Sequence, residues 1–328
     1  MKIAFHSYQL GERGTEICLY RYAKYNQEIL GNESVIISTS SRPTPTLSRF
    51  EDEFETILYP DVWKNETENF NNEGLRSTLN KIVDEKNIDM FYAIKGGEND
   101  HFMPTNCKTL AHSIFRMDDP HGDVYAGVCE YICKAYESPH PWVHHIIEDV
   151  TDPDTNWREQ LGIPKDALVL GRHGGYDTFN IPFVYNSIAK ILEQRKDIYF
   201  VFLGTQPIIK HDRVKYIGWT GNLERIGQFV NTCDAMIHAR TCGEIFSLAL
   251  ADFSKRNKPI ICFPGGRDTG HVHLLENKGL YYKDEKELDM IFKNITKDFI
   301  INGDWDVYKD TYSPKNVMNE FQEVFIDG

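Results

Sequence analysis

Two short apolar runs with a helical segment between them constrain the fold of this chain most strongly. Residues 235–238 (Ala-Met-Ile-His) form an apolar run that leads into a polar loop, and residues 258–263 form a second run that closes at a Pro-Gly-Gly turn. The length of each run suits a buried strand, and the segment between them suits a helix. A strand, a loop, a helix and a strand in that order require a parallel sheet, which binds ligands at the carboxyl ends of its strands.

The same alternation continues along the chain in two sets. In the first set we predict strands over 2–7, 34–38, 90–94 and 108–113 and helices over 15–30, 76–85 and 124–136, with an irregular stretch over 42–72. In the second set we predict strands over 167–171, 198–203 and 235–238 and helices over 182–194, 223–232 and 313–325.

The length of 328 residues suggests two domains of about 150 residues each. Turn-forming residues at 152–154 and 162–164 interrupt the alternation between the two sets. The predicted fold class is α/β, with Rossmann-like doubly wound domains over 1–150 and 151–312 and a terminal helix over 313–328 that packs back at the junction.

The composition of the chain indicates which kinds of partner it binds and where in the cell it works. A net charge of −13 argues against nucleic-acid binding, because a binder of the phosphate backbone needs a basic surface. The absence of an 18-residue apolar run and of a leader-like N-terminus predicts no membrane span and no signal peptide. Seven cysteines, an odd number, favour reduced thiols and hence a cytoplasmic location over a disulfide framework.

Two acidic residues enclose the start of the central helix. Glu244 precedes it and Asp252 follows eight positions later, which separates them by about 12 Å along a helix. One carboxylate can therefore reach a sugar ring while the other meets ribose hydroxyls. The free N–H groups at the helix start, among Ile245, Phe246, Ser247 and Leu248, suit a diphosphate between them. The alternative interpretation is a solvated helix flank.

With its flanking strands, this motif resembles the E-x7-E donor motif of retaining GT-B glycosyltransferases of the family 4 type. Asp252 stands where the family has a second glutamate and is one methylene shorter. The resemblance implies two Rossmann-like domains facing a central cleft and a donor of the UDP- or GDP-sugar type. It implies no further cofactor and no metal. The acceptor is expected to be a glycan or glycoconjugate hydroxyl, and the absence of a visible basic patch favours a soluble one.

In the first domain, the resemblance implies that the loop after the opening strand contributes to the site. Gly14 and Thr15 stand where the family has a Gly-Gly pair that faces the donor diphosphate, although a plain strand-to-helix turn also needs glycine. His112, at the end of a predicted strand, matches a histidine that points towards the donor sugar, and its alternative is a structural histidine. Acceptor-binding candidates follow in a polar loop: Arg116, Asp118 and His121.

In the second domain, the family places an arginine after the first strand and a lysine about five residues later. This chain has Arg172 but lacks the lysine, so His173 and the backbone of Gly174 and Gly175 are candidates to compensate. Gly204 and Trp219 would frame the base, although Trp219 could instead fill the core, and Arg240 is a further donor-side cation. The predicted catalytic residues are therefore His112, Arg172 and Glu244.

The sequence predicts a metal-independent, retaining glycosyltransferase. A nucleotide-sugar epimerase of the same fold and a catalytically silent sugar-nucleotide-binding subunit stay open as alternatives. Asp152 and Asp154 match the D-x-D metal motif of GT-A enzymes, yet they lie in a proline-bearing linker rather than after a buried strand.

Overall fold

The computed structural model describes residues 1–11, 13–39, 45–59, 72–150 and 154–328. The chain forms two compact units: unit 1 contains residues 1–148 and 310–328, and unit 2 contains residues 149–309. Glu12, Asp152, Pro153 and much of the stretch predicted to be irregular lie outside the described residues. Among the described residues, every helix is too short or too polar to cross a lipid bilayer.

Unit 1 is built on a six-stranded parallel sheet. Its strands are β1 (Lys2–Ser7), β2 (Glu33–Thr39), β3 (Glu55–Tyr59), β4 (Met90–Lys95), β5 (Lys108–Ser113) and β6 (Val124–Gly127). Their order in the sheet is β3-β2-β1-β4-β5-β6, which is the doubly wound order of dinucleotide-binding folds. The near-continuous burial of β1, β2 and β4 reflects cover on both faces, which parallel sheets require.

The helices of unit 1 come from both ends of the chain. They are α1 (Gly14–Glu28), α2 (Pro45–Glu53), α3 (Asn72–Lys86), α4 (Glu130–Ala135) and, after unit 2, α11 (Pro314–Phe321), which continues as a π-helical turn over Gln322–Ile326. Phe321 packs its ring on the rings of Tyr22 and Tyr92 in the unit 1 core. The carboxylate of Glu320 accepts a hydrogen bond from the backbone N–H of His144 at 2.9 Å. The C-terminal segment is therefore an integral part of unit 1.

Unit 2 repeats this strand order. Its main strands are β7 (Leu168–His173), β8 (Ile198–Leu203), β9 (Val214–Ile217), β10 (Ala235–His238), β12 (Ile260–Cys262) and β14 (Leu280–Tyr281), ordered β14-β12-β10-β7-β8-β9. A separate two-stranded parallel sheet is formed by β11 (Gly243–Glu244) and β13 (Asp268–Thr269), which fall between the main strands in the sequence. The helices are α5 (Pro182–Gln194), α6 (Leu223–Thr232), α7 (Leu248–Ser254), α8 (Gly270–Leu275), α9 (Glu285–Asn294) and α10 (Lys297–Ile301).

The α/β fold class with two doubly wound sheets is confirmed. The predicted helix over 124–136 is wrong in its first part, because residues 124–127 form β6 and pair with β5. An apolar run of four residues carries no periodicity that separates a buried strand from a helix, so its pairing partner decided the outcome. The prediction of an irregular stretch over 42–72 is wrong for part of its described residues, because residues 45–53 form α2 and residues 55–59 form β3. Strands β9, β11, β13 and β14 and helices α8 to α10 were also not predicted.

Each sheet has one point where the strand order reverses. In unit 1 this switch point lies between β1 and β4, and in unit 2 it lies between β7 and β10. Ligands of doubly wound sheets bind outside the carboxyl ends of the strands at such points. The segments after β7 and β10 therefore define the candidate site in unit 2.

Candidate functional site

The segments after β7 and β10 are bonded to each other across the unit 2 switch point. The backbone N–H of Asn180 donates to the carbonyl of Ala239 at 2.8 Å, and the Asn180 side chain accepts from the N–H of Thr241 at 2.9 Å. These bonds fix the backbone that presents the predicted site residues. Arg172 and His173 end β7, and Arg240 and Glu244 follow β10.

Arg172 is buried, and its terminal nitrogens are occupied by the protein. Nη1 donates to the hydroxyl of Thr205, and Nη2 donates to the hydroxyl of Thr178 and, at 2.8 Å, to the carbonyl of Gly175. The guanidinium also lies over the ring of Phe179. Burial lowers the pKa of Arg172 to about 10, and the nearby Glu244 opposes that shift, so the side chain stays charged at neutral pH. Its contacts fix the turn that contains Gly174 and Gly175.

Glu244 lies in β11, where glycines allow a very close backbone approach. At Gly243, with φ of +74°, an added Cβ would stand 1.9 Å from the carbonyl oxygen of Asp268 in β13. At Gly266, with φ of +118°, it would stand 2.6 Å from the N atom of Gly243. Only glycine fits at these two positions, and their contact sets where the Glu244 side chain begins.

The Glu244 carboxylate is held by basic neighbours. Its Oε2 accepts from Arg240 Nη1 at 2.7 Å, and His238 Nε2 lies 3.5 Å from Oε1. Burial alone raises the pKa of Glu244, but His238 and Arg240 outweigh burial and hold the pKa below its usual value. The backbone N–H of Glu244 donates to Nδ1 of His271 at 3.3 Å, while Nε2 of His271 donates to the carbonyl of Phe263. Glu244 is therefore a fixed, charged carboxylate.

His238 is the last residue of β10 and is buried. Neither of its ring nitrogens makes a hydrogen bond in the part of the chain that the structure describes. The 3.5 Å approach to Glu244 lacks hydrogen-bond geometry, although it is close enough for charge to act. Because buried polar groups are almost always hydrogen-bonded, this imidazole requires an explanation.

Asp252 and His173 form the second acidic element of the site. Helix α7 begins at Leu248, within the range predicted for the helix start, and carries Asp252 in its second turn. His173 Nε2 lies 3.2 Å from Asp252 Oδ2, although the ring direction does not satisfy a hydrogen bond. The His173 ring stacks on Phe253. The side chain of Asp252 stays partly exposed.

The residues between Glu244 and Asp252 are held in place by contacts with other residues of unit 2. Ile245 is buried, and its carbonyl oxygen lies where a Cβ on Gly270 would be only 2.2 Å away. The ring of Phe246 contacts Tyr308, whose hydroxyl donates to the carbonyl of Ser247 at 3.4 Å. The backbone from 245 to 248 is thus fixed ahead of α7.

Gly204 and Trp219 lie together after β8 and β9. Gly204 has φ of +61°, and an added Cβ would stand 2.7 Å from Cδ1 of Trp219. The indole covers the glycine while remaining 53% exposed. A large exposed aromatic face at the carboxyl edge of a sheet is suited to stacking on a flat ring.

In unit 1 the structure places His112 inside the core. Nε2 donates to the carbonyls of Val143 at 2.9 Å and Gly127 at 3.2 Å, so Nδ1 accepts from the hydroxyl of Tyr92 at 2.6 Å. Burial lowers the pKa of His112 to about 4. Both nitrogens are occupied and the ring is fully buried, which favours the structural alternative over the predicted catalytic role.

The other unit 1 candidates lie at or near the surface, except for His121, which is buried. Gly14 opens α1 and Thr15 follows it. Arg116 pairs with the carboxylates of Glu98 and Asp118. His121 Nδ1 bonds the carbonyl of Asp119 at 2.8 Å, while its buried Nε2 has no partner in the described chain. Their roles towards a donor or an acceptor stay predictions.

One polar cluster at the unit 1 switch point was not predicted. Lys95 ends β4 fully buried, and its Nζ donates to the hydroxyl of Tyr8 at 2.6 Å and to both oxygens of Asp100 at 3.0 Å. Burial lowers the pKa of Lys95, and Asp100 opposes that shift. A lysine closing the apolar run over 90–94 was the available signal, because a buried lysine requires a partner.

The comparisons with known proteins identify the fold. No protein-family model matches the sequence, and no curated protein is similar enough in sequence to count as a relative. A glycosyltransferase from Rickettsia africae superposes with a TM-score of 0.73 over 99% of this chain and 98% of its own, at 14% identity. HepE from Anabaena, solved with UDP-glucose, gives 0.64 over 99% and 95%, also at 14% identity.

A third structure, described as a UDP-N-acetylglucosamine 2-epimerase from Listeria monocytogenes, gives a TM-score of 0.63 at 11% identity over 100% of this chain and 97% of its own. The chain therefore has the GT-B fold that these proteins share, and it resembles GT-B glycosyltransferases along its whole length. At such low identity the similarity establishes the fold alone.

Proposed function

We propose that the protein is a glycosyltransferase that takes its sugar from a nucleoside diphosphate sugar. The observation that supports this most directly is the set of charged groups at the unit 2 switch point. Arg172 and Arg240 supply positive charge beside the carboxylates of Glu244 and Asp252, at the edge where doubly wound sheets bind nucleotides. A nucleotide sugar presents a diphosphate and two sets of hydroxyls, and this arrangement matches both.

Each group has a proposed role. Glu244, charged and fixed, accepts hydrogen bonds from hydroxyls of the donor sugar. Asp252 accepts from the ribose hydroxyls, with His173 on its other side. Trp219 stacks on the base. The arginines stabilise the negative charge that develops on the leaving diphosphate, and such preorganised charge is a large part of catalysis in enzymes of this kind.

Three finer properties belong to the same proposal. The transfer retains the anomeric configuration, the leaving diphosphate helps to deprotonate the acceptor, and the reaction needs no metal. The acceptor is a hydroxyl of a soluble glycan or glycoconjugate. The protein then contributes positioning and charge, which suits a site with fixed carboxylates and arginines.

A second candidate is epimerisation of a nucleotide sugar. It is supported by the shared fold of the Listeria monocytogenes epimerase, which covers this chain completely. An epimerase interconverts two nucleotide sugars and consumes no acceptor. A donor product that keeps its nucleotide would favour this candidate.

The test has two stages. Thermal unfolding is measured with UDP, GDP, ADP and their glucose, N-acetylglucosamine and mannose derivatives, because a ligand at 100 times its dissociation constant adds about 2.7 kcal/mol of stability. The donor that stabilises the protein is then incubated with a glycan library, and free nucleotide and new glycans are followed by mass spectrometry. Stabilisation by no nucleotide would contradict the proposal. Isomerised donor without transfer would favour the epimerase.

A further inference from the structure

The two arginines at the unit 2 switch point differ in how many of their donors are already used. Arg172 gives both terminal nitrogens to three oxygens of the protein. Arg240 gives Nη1 to Glu244 and also interacts with the side chain of Cys242, and its buried Nε makes no hydrogen bond in the described chain. A guanidinium has five N–H donors, so Arg240 keeps most of its capacity for a ligand.

The obstacle to such a role is Glu244. If Arg240 turned towards a ligand, it would leave a largely buried carboxylate without its principal partner, which is strongly unfavourable. His238 lies 3.5 Å from the other oxygen of the same carboxylate, and neither of its ring nitrogens is hydrogen-bonded to the described residues. A neutral imidazole carries one N–H on either nitrogen, so His238 can donate from Nε2 without taking up a proton.

We propose that nucleotide binding exchanges the partners of Glu244. Arg240 leaves the carboxylate and pairs with the diphosphate, while His238 donates to Glu244 in its place. This inference rests on the proposed function and deepens it, since it assigns the diphosphate-binding cation that the missing lysine would have supplied. Arg172, whose terminal nitrogens are bonded within the protein and fix the turn over residues 175–178, then contributes positive charge near the diphosphate without a direct hydrogen bond.

The exchange also accounts for the unpaired imidazole. While Arg240 holds Oε2 of Glu244, His238 stays 3.5 Å from Oε1 without hydrogen-bond geometry, and the proposed bond forms when release of Oε2 lets the carboxylate turn towards the ring. Meanwhile the fixed backbone of Glu244, held by His271, keeps the carboxylate within reach of His238. Glu244 therefore stays charged and oriented throughout the exchange.

The primary test isolates the contribution of the diphosphate. Calorimetry gives the dissociation constants of a nucleoside and of its diphosphate, for uridine with UDP, guanosine with GDP and adenosine with ADP. The ratio used below is the dissociation constant of the nucleoside divided by that of the diphosphate. Arg240→Gln should lower this ratio at least tenfold, with little effect on the nucleoside. Arg267→Gln is the matched control, because Arg267 follows β12 at the same edge, is largely exposed and pairs with Asp268. The control should keep the wild-type ratio.

A double-variant test separates exchange from simple structural support. His238→Phe should lower the ratio, because Arg240 then cannot leave Glu244. Glu244→Gln should preserve or raise the ratio, because it frees Arg240, and it should restore the ratio when combined with His238→Phe. A purely structural role of His238 would lower the ratio in both backgrounds and would overturn the inference.

Different results would overturn the partner exchange at Glu244 and the proposed function. If the wild-type protein binds a nucleoside diphosphate and Arg240→Gln binds it equally well, the inference is wrong and the proposed function stands. If the wild type binds none of the three diphosphates, the proposed function falls and the inference falls with it. Circular dichroism spectra of all variants confirm that each one is folded before its ratio is used.

Discussion

His112 and His238 have the same side chain and similar burial, but they differ in whether their nitrogens are paired. His112 uses both ring nitrogens within unit 1, so a ligand would have to break existing bonds to engage it. His238 has no hydrogen bond to lose in the described chain. At the scale of single residues, hydrogen-bond satisfaction therefore separates a structural histidine from one that is available for function, and sequence position does not.

The satisfied histidines make unit 1 sensitive to acid. Burial lowers the pKa of His112 to about 4 and, with help from Lys95, lowers the pKa of His6 to about 3. Both rings are neutral in the folded protein, whereas the unfolded chain takes up protons near pH 6.5. The stability they contribute is therefore complete above pH 6.5 and falls as the pH drops towards 4. Between pH 7 and pH 5, each of these two histidines should lower the free energy of unfolding by about 2 kcal/mol.

Urea unfolding at pH 7 and pH 5 checks this pH dependence. His112→Gln, which can donate and accept but does not titrate, should reduce the loss of free energy of unfolding between the two pH values by about 2 kcal/mol. His101→Gln is the control, because His101 is exposed, and it should leave the loss unchanged. Equal losses in wild type and His112→Gln would contradict the prediction.

Asp252 gives a prediction about ligand recognition. Asp252→Ala removes the carboxylate that is proposed to accept from ribose, so nucleoside diphosphate binding should weaken by about 1.5–3 kcal/mol. The 2′,3′-dideoxy form of the same nucleotide should bind wild type and variant equally, since it lacks the hydroxyls. Calorimetry with the ribonucleotide and its dideoxy form, on wild type and variant, measures how much of the lost affinity depends on the ribose hydroxyls. A variant that still prefers the ribonucleotide by the wild-type factor would show that Asp252 does not bind ribose.

At the scale of elements, the sequence predicted those that have long or strongly patterned segments. Strands β1, β5, β8 and β10 and helices α5 and α6 have the predicted bounds. The predictions of a helix at β6 and of no strand at β9 are wrong, because these short segments acquire their identity from pairing with β5 and β8. Strand β10 is equally short, but its apolar run leads directly into a polar loop, which marks its end. The Glu244 and Asp252 pair was visible from spacing. The contacts of His238 and Lys95 were not, because their partners lie on other segments whose approach only the fold determines.

The C-terminal helix α11 gives a prediction about stability. Phe321 is fully buried against Phe5, Tyr22 and Tyr92. Phe321→Ala should leave a cavity and lower the free energy of unfolding by about 3–5 kcal/mol. Phe299→Ala removes the same group from a position that is 47% exposed and should cost no more than about 1 kcal/mol. Urea unfolding of both variants makes the comparison, and similar losses would mean that α11 does not belong to the unit 1 core.

At the scale of the whole molecule, the two units use one strand order with different charge arrangements. β4 and β10 hold the same place in their sheets, and each ends in a basic residue, Lys95 or His238. In unit 1 the charge of Lys95 is neutralised by Asp100 within the same unit. In unit 2 the basic groups include Arg240, which has donors to spare. The repeated alternation in the sequence predicted two similar sheets, but only the contacts distinguish their charge arrangements, and these support the proposal that the anionic ligand binds in unit 2.

The distribution of charge leads to the last prediction, that glycosyl transfer survives excess EDTA. The chain is acidic overall, with a net charge of −13, yet it gathers Arg172 and Arg240 where the diphosphate is proposed to bind. Side-chain cations and fixed N–H donors can stabilise the leaving diphosphate as Mg²⁺ or Mn²⁺ does elsewhere. Initial rates are measured with the donor identified by thermal unfolding, in EDTA and then with added Mn²⁺. Unchanged rates support stabilisation by the protein itself. Complete loss in EDTA with recovery in Mn²⁺ would transfer that role to a metal and would return attention to the D-x-D sequence, of which Asp154 lies within the described residues and Asp152 lies outside them.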